Sequence, residues 1–188
     1  KLISQIKKRP KILFIPNPNQ PIEDNLSLKE LDKICKLCKK FKVLLVIDEA
    51  YHMYDCQTAV SLIKKYNNII ILRTFSKSFG IPSIRLGYIV SSEKIISLLN
   101  TFRLSYESNF LSDKVAIYFM QNTKIVYQYI SQVKKGRNYF KSKIKQLGFN
   151  VIGGQSNFLL IDFKTNEIAK KIFKGLLKKH IYVKGNYK

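Results

Sequence analysis

The chain has 188 residues, 46% of them hydrophobic and 12% aromatic, a balance that supports a core of domain size and excludes an intrinsically disordered polymer. It carries 34 Lys and Arg against 12 Asp and Glu, a formal charge of +22, which raises an anionic partner such as nucleic acid or a membrane surface. The basic residues are spread in short groups such as "IKKRPK", "VKKGR" and "LLKKH", with no single cluster interleaved with aromatics as a stacking platform would be, so they read as a lysine coat, and neither a specific nucleic acid nor a membrane is expected as partner.

No apolar run is long enough to span a membrane, and the start lacks a signal-peptide pattern, so a soluble, cytoplasmic protein is expected. Without an initiator methionine, the chain is expected to begin inside a longer protein.

In chain order, "KILFI" (11–15) reads as a short buried strand ended by the turn cluster "PNPNQP". Residues 27–41 have helical apolar spacing, with Ser27 as N-cap and Glu30 as its capping-box partner. "KVLLVID" (42–48) and "NIIIL" (68–72) are further buried strands, a short helix is expected over 58–65, and "RLGYIVS" (85–91) is a fourth strand. "SSEKIISLL" then opens a helix. Near-continuous apolar strands joined by helices predict an α/β fold with a mainly parallel sheet covered on both faces. After about residue 110 the pattern becomes long helix, stopped by Gly148. "FNVIGGQSNFLLIDF", a helix over 165–178 and the strand-like "HIYVK" follow as the start of a smaller α+β domain.

Cys35 and Cys38 form a C-x-x-C, but both fall on the apolar stripe of the 27–41 helix and no second pair follows at zinc-ribbon spacing. They read as small apolar residues in a reducing compartment, and no metal is expected. His52 and His180 are isolated.

Ligands of open α/β sheets bind beyond the carboxyl ends of the strands. "VIDEAYHMY" puts Asp48 at one such tip with Tyr51 three residues on, and "ILRTFSKSFG" puts Thr74, Ser76 and Lys77 just past the next. "PNPNQP" puts Asn19 and Gln20 past the first, and Arg85 begins the returning strand. Singly, Asp48 reads as a turn cap, Lys77 as one of many surface lysines, Arg85 as an ion-pair partner, and Thr74 and Ser76 as caps. Yet Arg85 is one of five arginines in a lysine-rich chain, which marks it for a planar, two-pronged donor. Together the set brings a carboxylate, a phenol, an amine, two hydroxyls and a guanidinium to one crevice.

D-E-A-Y, S-K-S-F-G and R-L-G-Y at these spacings resemble the large domain of the fold-type I pyridoxal-phosphate aminotransferases of class I/II, and within them the histidinol-phosphate aminotransferase-like branch. The resemblance, to a fragment of such an enzyme, implies a three-layer, mainly parallel sheet in a partial large domain over residues 1–122. A partial small domain over 123–188 is entered through the long helix. It further implies pyridoxal 5'-phosphate as cofactor, an amino donor and a 2-oxo acid as substrates, and a homodimer. Lys77 would be the catalytic residue, bonding to the cofactor aldehyde and later carrying the substrate proton. Asp48 would keep the pyridine nitrogen protonated, Tyr51 and Gln20 would meet the ring oxygen, and Thr74, Ser76 and Arg85 would hold the phosphate.

The family motif N-P-N-N-P-T-G reads Asn17-Pro18-Asn19-Gln20-Pro21-Ile22-Glu23 here, and Ser105 stands where a proline is common. The family's upstream phosphate loop and ring-stacking aromatic are expected before Lys1, and its carboxylate-binding arginine after Lys188. The rival readings are a fold-type I decarboxylase, a sugar aminotransferase, and a non-catalytic basic domain of the same fold that binds nucleic acid.

Overall fold

Three runs of branched aliphatic residues become adjacent parallel strands: β1 (Ile12–Pro16), β2 (Leu44–Asp48) and β3 (Ile69–Thr74). β4 (Gly87–Ser91) runs antiparallel to β3, giving a sheet in the order β1-β2-β3-β4 that is mainly parallel, as its uninterrupted apolar strands predict. The computed structural model describes residues 2–104 and 106–185; Ser105, expected to replace a family proline, lies outside them.

The helix expected over 27–41 is α2 (Leu28–Lys40), and it begins with the predicted capping box. The Glu30 amide donates to Ser27 Oγ at 3.3 Å, and the Ser27 amide donates to Glu30 Oε2 at 2.9 Å. Leu31, Ile34, Cys35 and Cys38 of this helix are buried with Leu45, Ile47, Ile69 and Ile71 of the sheet. Burial pushes the Cys35 thiol up to about 12 and that of Cys38 up to about 11, so both behave as apolar filling. α1 (Leu2–Lys7) adds Ile6 to the same layer. Six residues are too few to show a helical period, which is why the sequence pattern does not announce it.

Two connections are tighter than expected. The helix placed over 58–65 is a 3₁₀ segment, Val60–Lys64. The fourth strand begins at Gly87 rather than residue 85, because a 3₁₀ turn, Pro82–Ile84, ends at Arg85 with a left-handed φ of 52°.

Beyond the sheet lie α3 (Glu93–Asn100), α4 (Phe110–Gln121) and α5 (Thr123–Gln146). α5 stops where the glycine predicts: Gly148 has φ 80°, its amide donates to the Lys145 carbonyl at 2.9 Å, and the Phe149 amide donates to that of Ile144 at 3.4 Å. An antiparallel pair, β5 (Asn150–Ile152) and β6 (Leu160–Asp162), and α6 (Asn166–Lys178) complete the described chain. The strand expected at "HIYVK" does not form. His180 lies in a turn and residues 181–185 pair with no strand among the described residues, so their amides have no ladder to join.

A second buried cluster joins Tyr51, Phe75 and Phe79 at the strand tips to Ala116 of α4 and to Val126 and Ile130 of α5. It is the floor on which the candidate site stands. No helix among the described residues is long and apolar enough to cross a membrane.

Candidate functional site

Strand register brings the chemistry-bearing segments to one level. Pro16 pairs with Asp48, and Asp48 with Leu72, so the three parallel strands finish side by side. The Asn17 amide donates to the Asp48 carbonyl at 2.8 Å and the Glu49 amide to that of Leu72 at 2.9 Å, which carries the alignment one residue past the sheet. Asp48 is half-buried, and its Oδ1 accepts the Ala50 amide at 3.0 Å. Tyr51 is buried, and its hydroxyl donates to Gln20 Oε1 at 3.5 Å. The Lys77 Nζ lies 5.8 Å from the centroid of the Tyr51 ring, so this amine meets an aromatic face rather than a carboxylate.

The Lys77 turn is held from below. The Tyr54 hydroxyl donates to the Lys77 carbonyl at 3.2 Å, and so does the Gly80 amide at 3.0 Å. Gly80 adopts φ 70°, a conformation that favours glycine, and a Cβ there would stand 2.9 Å from the Tyr129 ring, which would have to shift. Thr74 Oγ1 donates to Ser76 Oγ at 3.0 Å and accepts the Ser76 amide at 3.1 Å, which fixes the two hydroxyls as a pair. The Phe75 amide donates to the Leu86 carbonyl at 3.1 Å and brings the start of β4 alongside. Arg85 is exposed at this rim, where its guanidinium donates to the Pro82 carbonyl at 3.1 Å rather than to the hydroxyl pair. The structure thus gathers Gln20, Tyr51 and Lys77, pairs Thr74 with Ser76, sets Asp48 at the same strand ends, and leaves Arg85 facing solvent.

Four further residues shape the site, and sequence reasoning gave none of them a role in it. Glu49 is fully buried, takes Arg73 Nε at 3.1 Å and Nη2 at 2.9 Å on one oxygen, and also accepts the Thr58 hydroxyl and the Ala59 amide. The signal was present: two successive acids at the end of a buried strand point to opposite faces, so one of them needs a cation. His52 is buried, its Nδ1 lacks a partner among the described residues, and its Nε2 lies 3.4 Å from the Tyr88 hydroxyl. Burial, and then the Arg73 charge, push its pKa down to about 4, so it is neutral at ordinary pH. The Phe158 ring sits edge-on against Tyr51, with centroids 5.3 Å apart. Glu23, in the turn after β1, is buried and accepts amides from residues 154–156, more than 130 positions away in sequence. Glu23 was marked only as a departure from the glycine of the family motif and Phe158 not at all, because such contacts depend on where distant segments meet.

The family described as aminotransferase class I and II matches residues 1–187. A histidinol-phosphate aminotransferase of Ruminiclostridium cellulolyticum is 34% identical over 178 residues, which cover 94% of this chain and 48% of that protein. One of Thermoanaerobacter sp. (strain X514) is 35% identical over 182 residues, covering 95% and 49%. The crystal structure of the histidinol-phosphate aminotransferase from Clostridium acetobutylicum superposes with a TM-score of 0.83 at 26% identity, over 95% of this chain and 55% of that one. That of the Sinorhizobium meliloti enzyme in complex with pyridoxal-5'-phosphate gives 0.85 at 19% identity, over 96% and 51%, a likeness of fold. The chain spans about half the length of the curated relatives it matches.

Proposed function

The chain belongs to the aminotransferase class I and II family, and from that premise we propose that the whole protein is a pyridoxal-phosphate-dependent transaminase. It moves an amino group between an amino acid or amino-alcohol phosphate and a 2-oxo acid. The observation that carries the reading is the convergence of Lys77, Tyr51 and Gln20 beside Asp48 at the ends of parallel strands.

The residues present fit the cofactor. The Lys77 amine faces the Tyr51 ring, and among the described residues no ion pair has to break before it reacts. Ser76 keeps its hydroxyl proton while accepting from Thr74, and Arg85 engages one carbonyl through Nη1, which leaves donors for an anionic group. Asp48 has one oxygen on the Ala50 amide and the other to offer a protonated ring nitrogen. When bound, the cofactor supplies an aldehyde that captures an amine and a pyridine ring that takes up the electron pair left on the substrate carbon. Lys77 anchors it and afterwards moves the proton at the substrate α-carbon, acting in turn as base and acid. Asp48 would hold the proton on the ring nitrogen, and the Tyr51 hydroxyl, whose one proton points to Gln20, would turn it to the ring oxygen. Thr74, Ser76 and Arg85 receive the phosphate.

The relatives named above are aminotransferases, and this favours amino transfer over decarboxylation, sugar transamination or a non-catalytic nucleic-acid-binding role. We place a partial large domain at 1–122 and a partial small domain at 123–188, dividing them where α4 gives way to α5 at Asn122. A cytoplasmic homodimer is the proposed working form; three unpaired cysteines suit a reducing compartment. The test is borohydride reduction of the full-length protein with pyridoxal phosphate, followed by peptide mapping. The tag is expected on Lys77, and a tag on another lysine, or on none, refutes the assignment.

A further inference from the structure

Glu23 is a carboxylate with almost no access to water, 5% exposed, and among the described residues no Lys, Arg or His pairs with it. A buried carboxylate costs several kcal/mol unless donors surround it. Here the donors are three consecutive backbone amides of the loop between β5 and β6. Gly154 and Gln155 donate to Oε2, the latter at 2.7 Å, and Ser156 donates to Oε1 at 2.9 Å. Successive amides curled around one anion form a nest, whose summed dipoles stand in for a cation. The fit is close from both sides. A Cβ on Gly153 would lie 2.7 Å from Glu23 Oε2, and Gly153 has φ 86°. Glu23 itself holds a left-handed φ of 59°, a conformation that suits glycine, and glycine is what the family motif carries at this place.

Both segments joined by this contact touch Tyr51. Glu23 lies three residues after Gln20, which accepts the Tyr51 hydroxyl. The loop leads within two residues to Phe158, whose ring abuts the Tyr51 ring. The loop's carbonyls are engaged as well: Arg137 Nη1 donates to Ser156 O at 2.8 Å and the Asp55 amide to Gln155 O at 3.1 Å. Among the described residues the amides of 154–156 have one partner, Glu23.

We propose that Glu23 is a positioning residue. Its carboxylate clamps the 154–156 loop to the turn after β1, and so holds Tyr51 between Gln20 and Phe158 in the orientation that the Lys77 site requires. The effect on the site rests on the transaminase reading; the clamp itself does not.

The test uses Glu23→Ala, which removes all three acceptor bonds, and the isosteric Glu23→Gln, which loses the charge and one acceptor oxygen, each in the full-length protein. Without cofactor, amide exchange in peptides covering 150–158 is expected to accelerate about tenfold or more in Glu23→Ala and less in Glu23→Gln. With pyridoxal phosphate, the pH midpoint of the visible absorption band is expected to move by about half a unit or more in the same order, because a displaced phenol no longer tunes the ring. Should Glu23→Ala fail to fold, Glu23→Gln is read alone against wild type. Unchanged exchange overturns the clamp. Faster exchange with an unmoved midpoint overturns the positioning role and leaves a structural tie. A wild-type protein with no visible band refutes the transaminase reading itself, a result distinct from either.

Discussion

Arg73 reaches Glu49 through two of its nitrogens, and the arrangement shows why this lysine-rich chain keeps an arginine at that place. The guanidinium sets two donors, Nε and Nη2, in one plane on Glu49 Oε2, while Thr58 and the Ala59 amide serve Oε1. Sequence reasoning reserved that argument for Arg85, which is exposed, because rarity alone does not say which arginine is inside. Replacing Arg73 with Leu strands the Glu49 charge, and with only Thr58 and Ala59 left as donors a loss of about 3–5 kcal/mol is expected in denaturant unfolding. A loss below about 1 kcal/mol would mean that water or other donors meet the Glu49 carboxylate instead.

His52 gives a pH signature at the same scale. Its folded pKa is depressed from 6.5 to about 4, so the stability it lends is complete above pH 6.5 and falls as pH drops towards 4. At 1.36 kcal/mol per unit the contribution approaches about 3 kcal/mol across that window. His52→Phe should flatten this part of the acid limb relative to wild type, and parallel limbs in the two proteins would contradict it.

At the scale of elements, what was legible followed from local rules. The apolar runs that became β1, β2 and β3 needed only their neighbours in sequence, as did the Ser27/Glu30 cap and the glycine that stops α5. α1, the 3₁₀ segment at Val60–Lys64 and the absent strand at "HIYVK" depended on tertiary partners, which no window of residues displays. The site divides the same way: the expected side chains sit at strand tips that periodicity locates, whereas Glu23, Phe158 and the Glu49–Arg73 pair arise from segments brought together by the fold. The cap offers a measurable check. Ser27→Ala removes one side of an exposed capping box, and a fall of about 2–4 °C in melting temperature is expected for a chain of this size. No shift would show that α2 is held by its buried face alone.

For the whole molecule, burial and charge pull in opposite directions. β1 and β4 are each paired on one side among the described residues, and β1 leaves Ile12 and Phe14 more than half exposed, at 58% and 54%. Phe102, Phe110 and Leu111 add further apolar surface, each over 70% exposed. Open edges and apolar faces of this kind favour association between chains. Against them stands a charge of +22, whose repulsion reaches across about 30 Å at 0.01 M salt but only about 3 Å at 1 M. The two effects separate by ionic strength. The 188-residue polypeptide by itself should sediment as small species in dilute buffer and as large ones in high salt, where hydrophobic contact is unopposed. Ile12→Lys with Phe14→Lys should reduce that shift by placing charge on the β1 edge. If the charge instead promoted association through bound nucleic acid, salt would act with the opposite sign and dissolve the complexes. A monodisperse monomer at high salt would show that these apolar surfaces do not drive contact at all.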